Sequence, residues 1–194
     1  MSETTYELAS QTDPAWVDVV LGDFDRFLMD HAACERKASA LAMSLVAHYP
    51  DRPALVTAMT DLAVEELAHF REVMKHIVTR GLVMVPDEKD PYVNRLRKHI
   101  RGQPDHYLLD RLLVFSIVER RGTERFALLA RSLPNAGMRD FYDRLARAEA
   151  RHYAMFLDLA REYFDAQTVE ERLKQLLEAE AAIVRELPLR PAVH

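Results

Sequence analysis

Cysteine is almost absent from the chain: Cys34 stands alone among 194 residues. A single thiol excludes an intrachain disulfide and a cysteine-rich zinc site, and it fits a reducing compartment. Glycine is nearly as scarce, at five residues. No stretch approaches 18 continuous apolar residues, which argues against a membrane span. The N-terminal "MSETTYELASQTDPAW" has neither a basic start nor an apolar run, so it does not read as a signal peptide, and the default expectation is a soluble cytoplasmic protein. An excess of positive charge is also missing. With 26 basic and 31 acidic residues the formal net charge is −5, which counts against a general nucleic-acid binder unless a metal neutralises several carboxylates internally.

What remains is a chain that is 49% apolar and rich in Ala, Leu, Glu and Arg, the composition of a helical protein. Pro14 opens a helical pattern over about 14–48, with a break near Gly22 and a stop before Pro50. Asp51 is placed to cap a second helix over about 53–80, with Pro53 in its first turn and Gly81 at its terminating position. The stretch "GLVMVPDEKDPYVNRLRKHIRGQPD" carries three prolines and two glycines. It reads as a crossover bearing one short basic helix near 91–101. Further helices are expected over about 106–132 and 135–164, and an extra one over about 168–186 with Thr168 as its cap; the tail "PLRPAVH" reads as loose. Four long helices with short links inside each pair and a long crossover between pairs give an all-α expectation: a ferritin-like four-helix bundle, with additional short and C-terminal helices, in one domain over 1–194.

Two of these helices carry Glu-x-x-His: Glu66 with His69, and Glu149 with His152. Such spacing sets both side chains on one helix face, one turn apart. One pair is weak evidence. The signal comes from Glu35, 31 residues before Glu66, and Glu119, 30 before Glu149. All four glutamates lie in apolar stripes, where an unpaired carboxylate costs several kcal/mol and would stay protonated. Cations among them resolve the conflict. A single Glu from each of two helices and Glu-x-x-His from each of two more is the ligand set of di-iron and di-manganese carboxylate proteins. By analogy, Glu66 and Glu149 are expected to bridge, Glu35 and Glu119 to bind one metal each, and His69 and His152 to complete the set.

Neighbours add less. Glu65 is placed to hydrogen-bond a ligand histidine or to stay solvated, His31 lies one turn before Glu35, and Thr123 lies one turn after Glu119, where a hydroxyl could assist catalysis or simply pack. Arg120, Arg121 and Arg125 are candidates for buried ion pairs. Such a ligand set serves an oxygen-activating enzyme, an iron-handling or peroxide-detoxifying protein, or a structural site. The six donors are more than a structural role needs.

The segments "DHAACERKASALA", "LAVEELAHFREVMKHIVTRG", "VERRGTERFALLA" and "FYDRLARAEARHYAMFLDLA" together resemble the MiaE family of tRNA hydroxylases, over about residues 16–180. The resemblance implies a non-haem di-iron monooxygenase that uses dioxygen and two electrons from an external donor such as a ferredoxin or reductase. It also implies the substrate: the isopentenyl side chain of 2-methylthio-N6-isopentenyladenosine at tRNA position 37, beside the anticodon. Phe115 and Phe126, with Leu112 and Tyr142, are then candidates to line a prenyl cavity, and Arg95, Arg97, Lys98 and Arg101 to meet tRNA phosphates.

Overall fold

The computed structural model describes residues 5–194; the first four residues of the polar N-terminal stretch lie outside the described residues. Among the described residues the chain is all-α, with seven helices: α1 (Ala15–Gly22), α2 (Phe24–His48), α3 (Pro53–Thr79), α4 (Pro91–Arg97), α5 (Pro104–Ser132), α6 (Ala136–Tyr163) and α7 (Ala166–Glu186). None is long and apolar enough to cross a membrane.

The break near Gly22 is real, because the Asp23 side chain accepts from Arg26 N and starts α2 afresh. Four expected boundaries move. Arg52, not Asp51, holds the N-cap of α3, with no side-chain bond, since Pro at the first positions removes a donor a cap would satisfy. Asp165, not Thr168, caps α7, its carboxylate accepting from Thr168 N. The basic helix is shorter than 91–101, ending at Arg97. Beyond it, Arg101 N turns away to donate to Asp110 Oδ2 at 2.8 Å, and α5 starts at Pro104, earlier than expected.

The chain forms two compact units. One comprises Asp18–Glu88 with Arg190–Val193; its frame is the antiparallel pair α2 and α3, packed through Phe27, Leu28, Leu45, Leu55, Met59 and Ile77. The buried Ser39 hydroxyl donates to the Ala63 carbonyl at 2.8 Å and pins the pair in register. The C-terminal residues are not loose here: Arg190 pairs with Glu88 at 2.9 Å, and Val193 N donates to Asp30 at 2.8 Å.

The other unit holds the N-terminal residues to Val17, Lys89–Leu189 and His194. Its frame is α5 against α6, with α4 and α7 alongside. Two buried charge clusters lock it. Arg121 and Glu180 are both fully buried, and one oxygen of Glu180 accepts from Arg121 Nε at 2.9 Å, from Arg121 NH2 at 2.7 Å and from the Tyr92 hydroxyl at 3.0 Å. This single carboxylate ties α4, α5 and α7. Asp110, also fully buried, accepts from both Arg101 and Arg172. His194 stacks on Tyr92, with ring centroids 5.2 Å apart.

Candidate metal centre

In the unit built on α2 and α3, helical spacing brings Glu66 and His69 to the inner side of α3 and Glu35 to that of α2. These three residues each offer a ligand atom within 4.8 Å of one another. Glu35 and Glu66 are buried, at 4% and 1% exposure. His69 Nδ1 lies 3.4 Å from Glu66 Oε2 and 3.7 Å from Glu35 Oε2. His31, one turn before Glu35 and open in the sequence to touching the site or to being a polar neighbour, is fully buried and donates from Nε2 to Glu35 Oε1 at 2.6 Å. Glu65 stands 3.9 Å from His69 Nε2. Cys34 Sγ donates to Asp30 Oδ2 at 3.8 Å.

Burial lowers the pKa of His69, but the carboxylates of Glu35 and Glu66 overcome that and push it up to about 10. Burial raises Glu35, and hydrogen bonds with Glu66, His31 and His69 outweigh it, holding Glu35 well below the usual carboxylate range. The buried Glu35 carboxylate therefore stays charged, and the imidazole beside it holds a proton. A metal cation is the other species that satisfies the same charges, and it would displace that proton.

The unit built on α5 and α6 repeats the design. Glu119, Glu149 and His152 each offer a ligand atom within 4.8 Å of one another. Glu149 and His152 are buried, Glu119 is half-buried, and His152 Nδ1 lies 3.8 Å from Glu149 Oε2. Gly122 faces this carboxylate: a Cβ built there would meet Glu149 Oε2 and Cγ, each at 3.7 Å. Sequence reasoning passed over Gly122, although a glycine inside a long helix costs about 1 kcal/mol and asks for a reason.

Each cluster thus pairs two carboxylates with one imidazole, hard oxygen donors plus a borderline nitrogen, which suits iron or manganese. The donor set fits a transition-metal ion in each cluster.

The remaining candidates separate. Thr123 is half-exposed, and its hydroxyl donates to the Glu119 carbonyl of its own helix at 2.9 Å. Phe115 and Phe126 are buried against Phe156 and Tyr142, with centroids 5.9 and 5.5 Å apart. Of the basic residues, Arg95 pairs with Glu186 at 2.9 Å and Arg101 is bound to Asp110. Arg97 and Lys98 are exposed. Arg121 forms the expected buried ion pair, Arg125 lies over the Trp16 ring at 5.1 Å, and Arg120 pairs with Glu7 at 3.3 Å.

Comparison with known proteins follows the same direction. The chain is 35% identical over 178 residues to the "tRNA 2-(methylsulfanyl)-N(6)-isopentenyladenosine(37) hydroxylase" of Pseudomonas putida (strain KT2440), covering 92% of this chain and 86% of that protein. It is 33% identical over 130 residues to the protein of the same name from Salmonella typhimurium (strain LT2), covering 67% of this chain and 47% of that longer protein. A solved structure, "Protein 43 with aldehyde deformylating oxygenase activity" from Synechococcus, matches with a TM-score of 0.93 and 34% identity over 98% of this chain and 96% of that one. The class is accordingly all-α and ferritin-like. The model of the family described as tRNA-(MS[2]IO[6]A)-hydroxylase (MiaE) matches residues 1–194, and the chain belongs to that family.

Proposed function

We propose that this protein is a tRNA-modifying monooxygenase that hydroxylates the isopentenyl side chain of 2-methylthio-N6-isopentenyladenosine at position 37, beside the anticodon. The observation that carries the proposal is the repetition of one cluster, two glutamates and a histidine, in each unit, within a chain of the MiaE family. The six residues Glu35, Glu66, His69, Glu119, Glu149 and His152 would hold two iron ions, three protein ligands from each unit. When bound, that metal pair supplies the reducing power and reactivity toward dioxygen that no side chain has.

The rest is the work of the chain. Burial of the carboxylates keeps water from the reacting groups. His31 orients Glu35 by occupying one of its oxygens. The buried Phe115 and Phe126 would line the space for a prenyl group, and the exposed Arg97 and Lys98 would meet tRNA phosphates. Two electrons come from an electron-transfer protein, and the expected setting is the cytoplasm.

A second reading, an oxygenase acting on an aldehyde, has one observation behind it: the likeness to the aldehyde deformylating oxygenase structure. One experiment separates the two. The iron-loaded protein is chemically reduced and given oxygen with isopentenylated, methylthiolated tRNA, and the digested nucleosides are analysed by mass spectrometry. A nucleoside heavier by one oxygen supports the tRNA reading; no tRNA product, with turnover of a long-chain aldehyde, replaces it with the second.

A further inference from the structure

Helix α3 carries different chemistry on its two sides. Its inner side presents Glu66 and His69. On its outer side Val64, Leu67, Arg71, Lys75 and Val78 recur at steps of three and four residues, which sets them in one stripe. All five are exposed, with Val64 at 65%, Leu67 at 50% and Val78 at 65%. The stripe runs for about 21 Å and holds two cations and no acid. Asp61 lies one turn before it, and Glu65 and Glu72 sit half-buried on the flank. The outward face of a helix in a water-soluble protein is normally polar; two like charges flanked on both sides by exposed aliphatic side chains call for a partner.

We infer that the outer face of α3 docks a small acidic one-electron carrier protein that feeds the metal centre. The inference rests on the hydroxylase reading, whose stoichiometry demands it: R–H + O2 + 2 electrons + 2 H+ gives R–OH + H2O. The carrier is oxidised twice, one oxygen atom enters the C–H bond, and the other leaves as water with two protons from solvent. The ligands lie on the opposite side of the same helix, about one helix diameter or 10–12 Å away, so the face offers a short route.

Composition selects the partner. Transient redox interfaces are small, and this stripe sets two central cations between short aliphatic ends. An RNA backbone needs denser positive charge than two cations in about 21 Å. A second copy docked by a two-fold axis near the stripe's centre would set Arg71 against its own counterpart. The cations instead favour an acidic surface and would speed encounter at low salt.

The test uses the full, iron-loaded protein and a reduced plant-type two-iron two-sulfur ferredoxin, an acidic carrier, mixed anaerobically in a stopped-flow instrument. Wild type should accept electrons at a rate that falls as salt rises. The Arg71→Glu/Lys75→Glu double variant should be slower by about tenfold or more at low salt, with that salt dependence lost. Its single-turnover hydroxylation after chemical reduction should equal that of wild type. Equal transfer rates in the two proteins, or no transfer to wild type, would overturn the docking face. A loss of tRNA affinity in the double variant would assign it to RNA, and a wild-type dimer split by Leu67→Glu would assign it to a second copy. If chemically reduced wild type forms no hydroxylated nucleoside, the hydroxylase reading fails, while the transfer rates still decide whether the face docks the carrier.

Discussion

His31 Nε2 stands 2.6 Å from Glu35 Oε1, one helical turn away on α2, with both side chains buried. The bond engages one oxygen of Glu35, while the other oxygen lies 3.7 Å from His69. His31→Ala should therefore lower iron affinity by about 10–100-fold with helix content unchanged. Iron retained against graded chelator, read beside circular dichroism, checks this; unchanged retention would leave His31 with packing alone.

Gly122 gives a graded test of the second cluster. Gly122→Ala meets Glu149 only at van der Waals distance, so metal content should hold, and helix propensity should raise stability by up to about 1 kcal/mol. Gly122→Leu would press on the carboxylate, and iron content should drop. Metal analysis with thermal melting distinguishes the two.

The Arg121–Glu180 pair predicts a stability effect that rests on buried charge. Glu180→Ala leaves a fully buried guanidinium without its main partner and should cost about 3–5 kcal/mol. The Arg121→Met/Glu180→Leu double variant should cost less than the sum of the single changes, because it removes both charges together. Urea denaturation of the four proteins reads the coupling.

Acid should weaken the protein partly through Asp110. Burial works against its charged form, but hydrogen bonds from Arg101 and Arg172 outweigh it and hold the carboxyl below its ordinary value. Below the unfolded pKa of about 3.9 the unfolded chain binds the proton first, so stability rises with pH there. The contribution is full above that value and disappears as pH falls through the lower folded pKa. Asp110→Asn should be less stable near neutral pH and show a flatter dependence below about pH 4. Denaturation midpoints at several pH values test it.

The basic segment divides into two exposed cations, Arg97 and Lys98, and two paired arginines, Arg95 and Arg101. Arg97→Ala with Lys98→Ala should weaken tRNA binding and lower the slope of log affinity against log salt by about 1 for each phosphate no longer neutralised. Arg101→Ala should reduce thermal stability, since this side chain serves Asp110. Filter binding across salt concentrations and melting curves separate the roles.

Much of the fold, and which candidate ligands share a helix face, was legible in the sequence because helices are written locally. Periods of three and four residues placed Glu66 with His69 and Glu149 with His152, prolines marked the helix starts, and the matching spacings of Glu35 before Glu66 and Glu119 before Glu149 exposed the repeated design. The caps were less legible, since Asp51 and Thr168 are good capping residues that the backbone passed over in favour of Arg52 and Asp165. At either helix start, small shifts in position cost little.

Long-range partnerships could not be read at all. Arg121 was a candidate for burial, but nothing in the chain named Glu180, 59 residues away, or joined Asp110 to Arg172 across 62. The tail that looked loose holds Glu88 through Arg190 and Asp30 through Val193. By itself the sequence determined the helices, the residue types of the site and their spacing along each helix, because backbone hydrogen bonds and side-chain periodicity act within a few residues. Tertiary structure alone decided which buried charge meets which, and which of several basic side chains stay exposed. Those choices depend on packing between segments that the chain order leaves far apart.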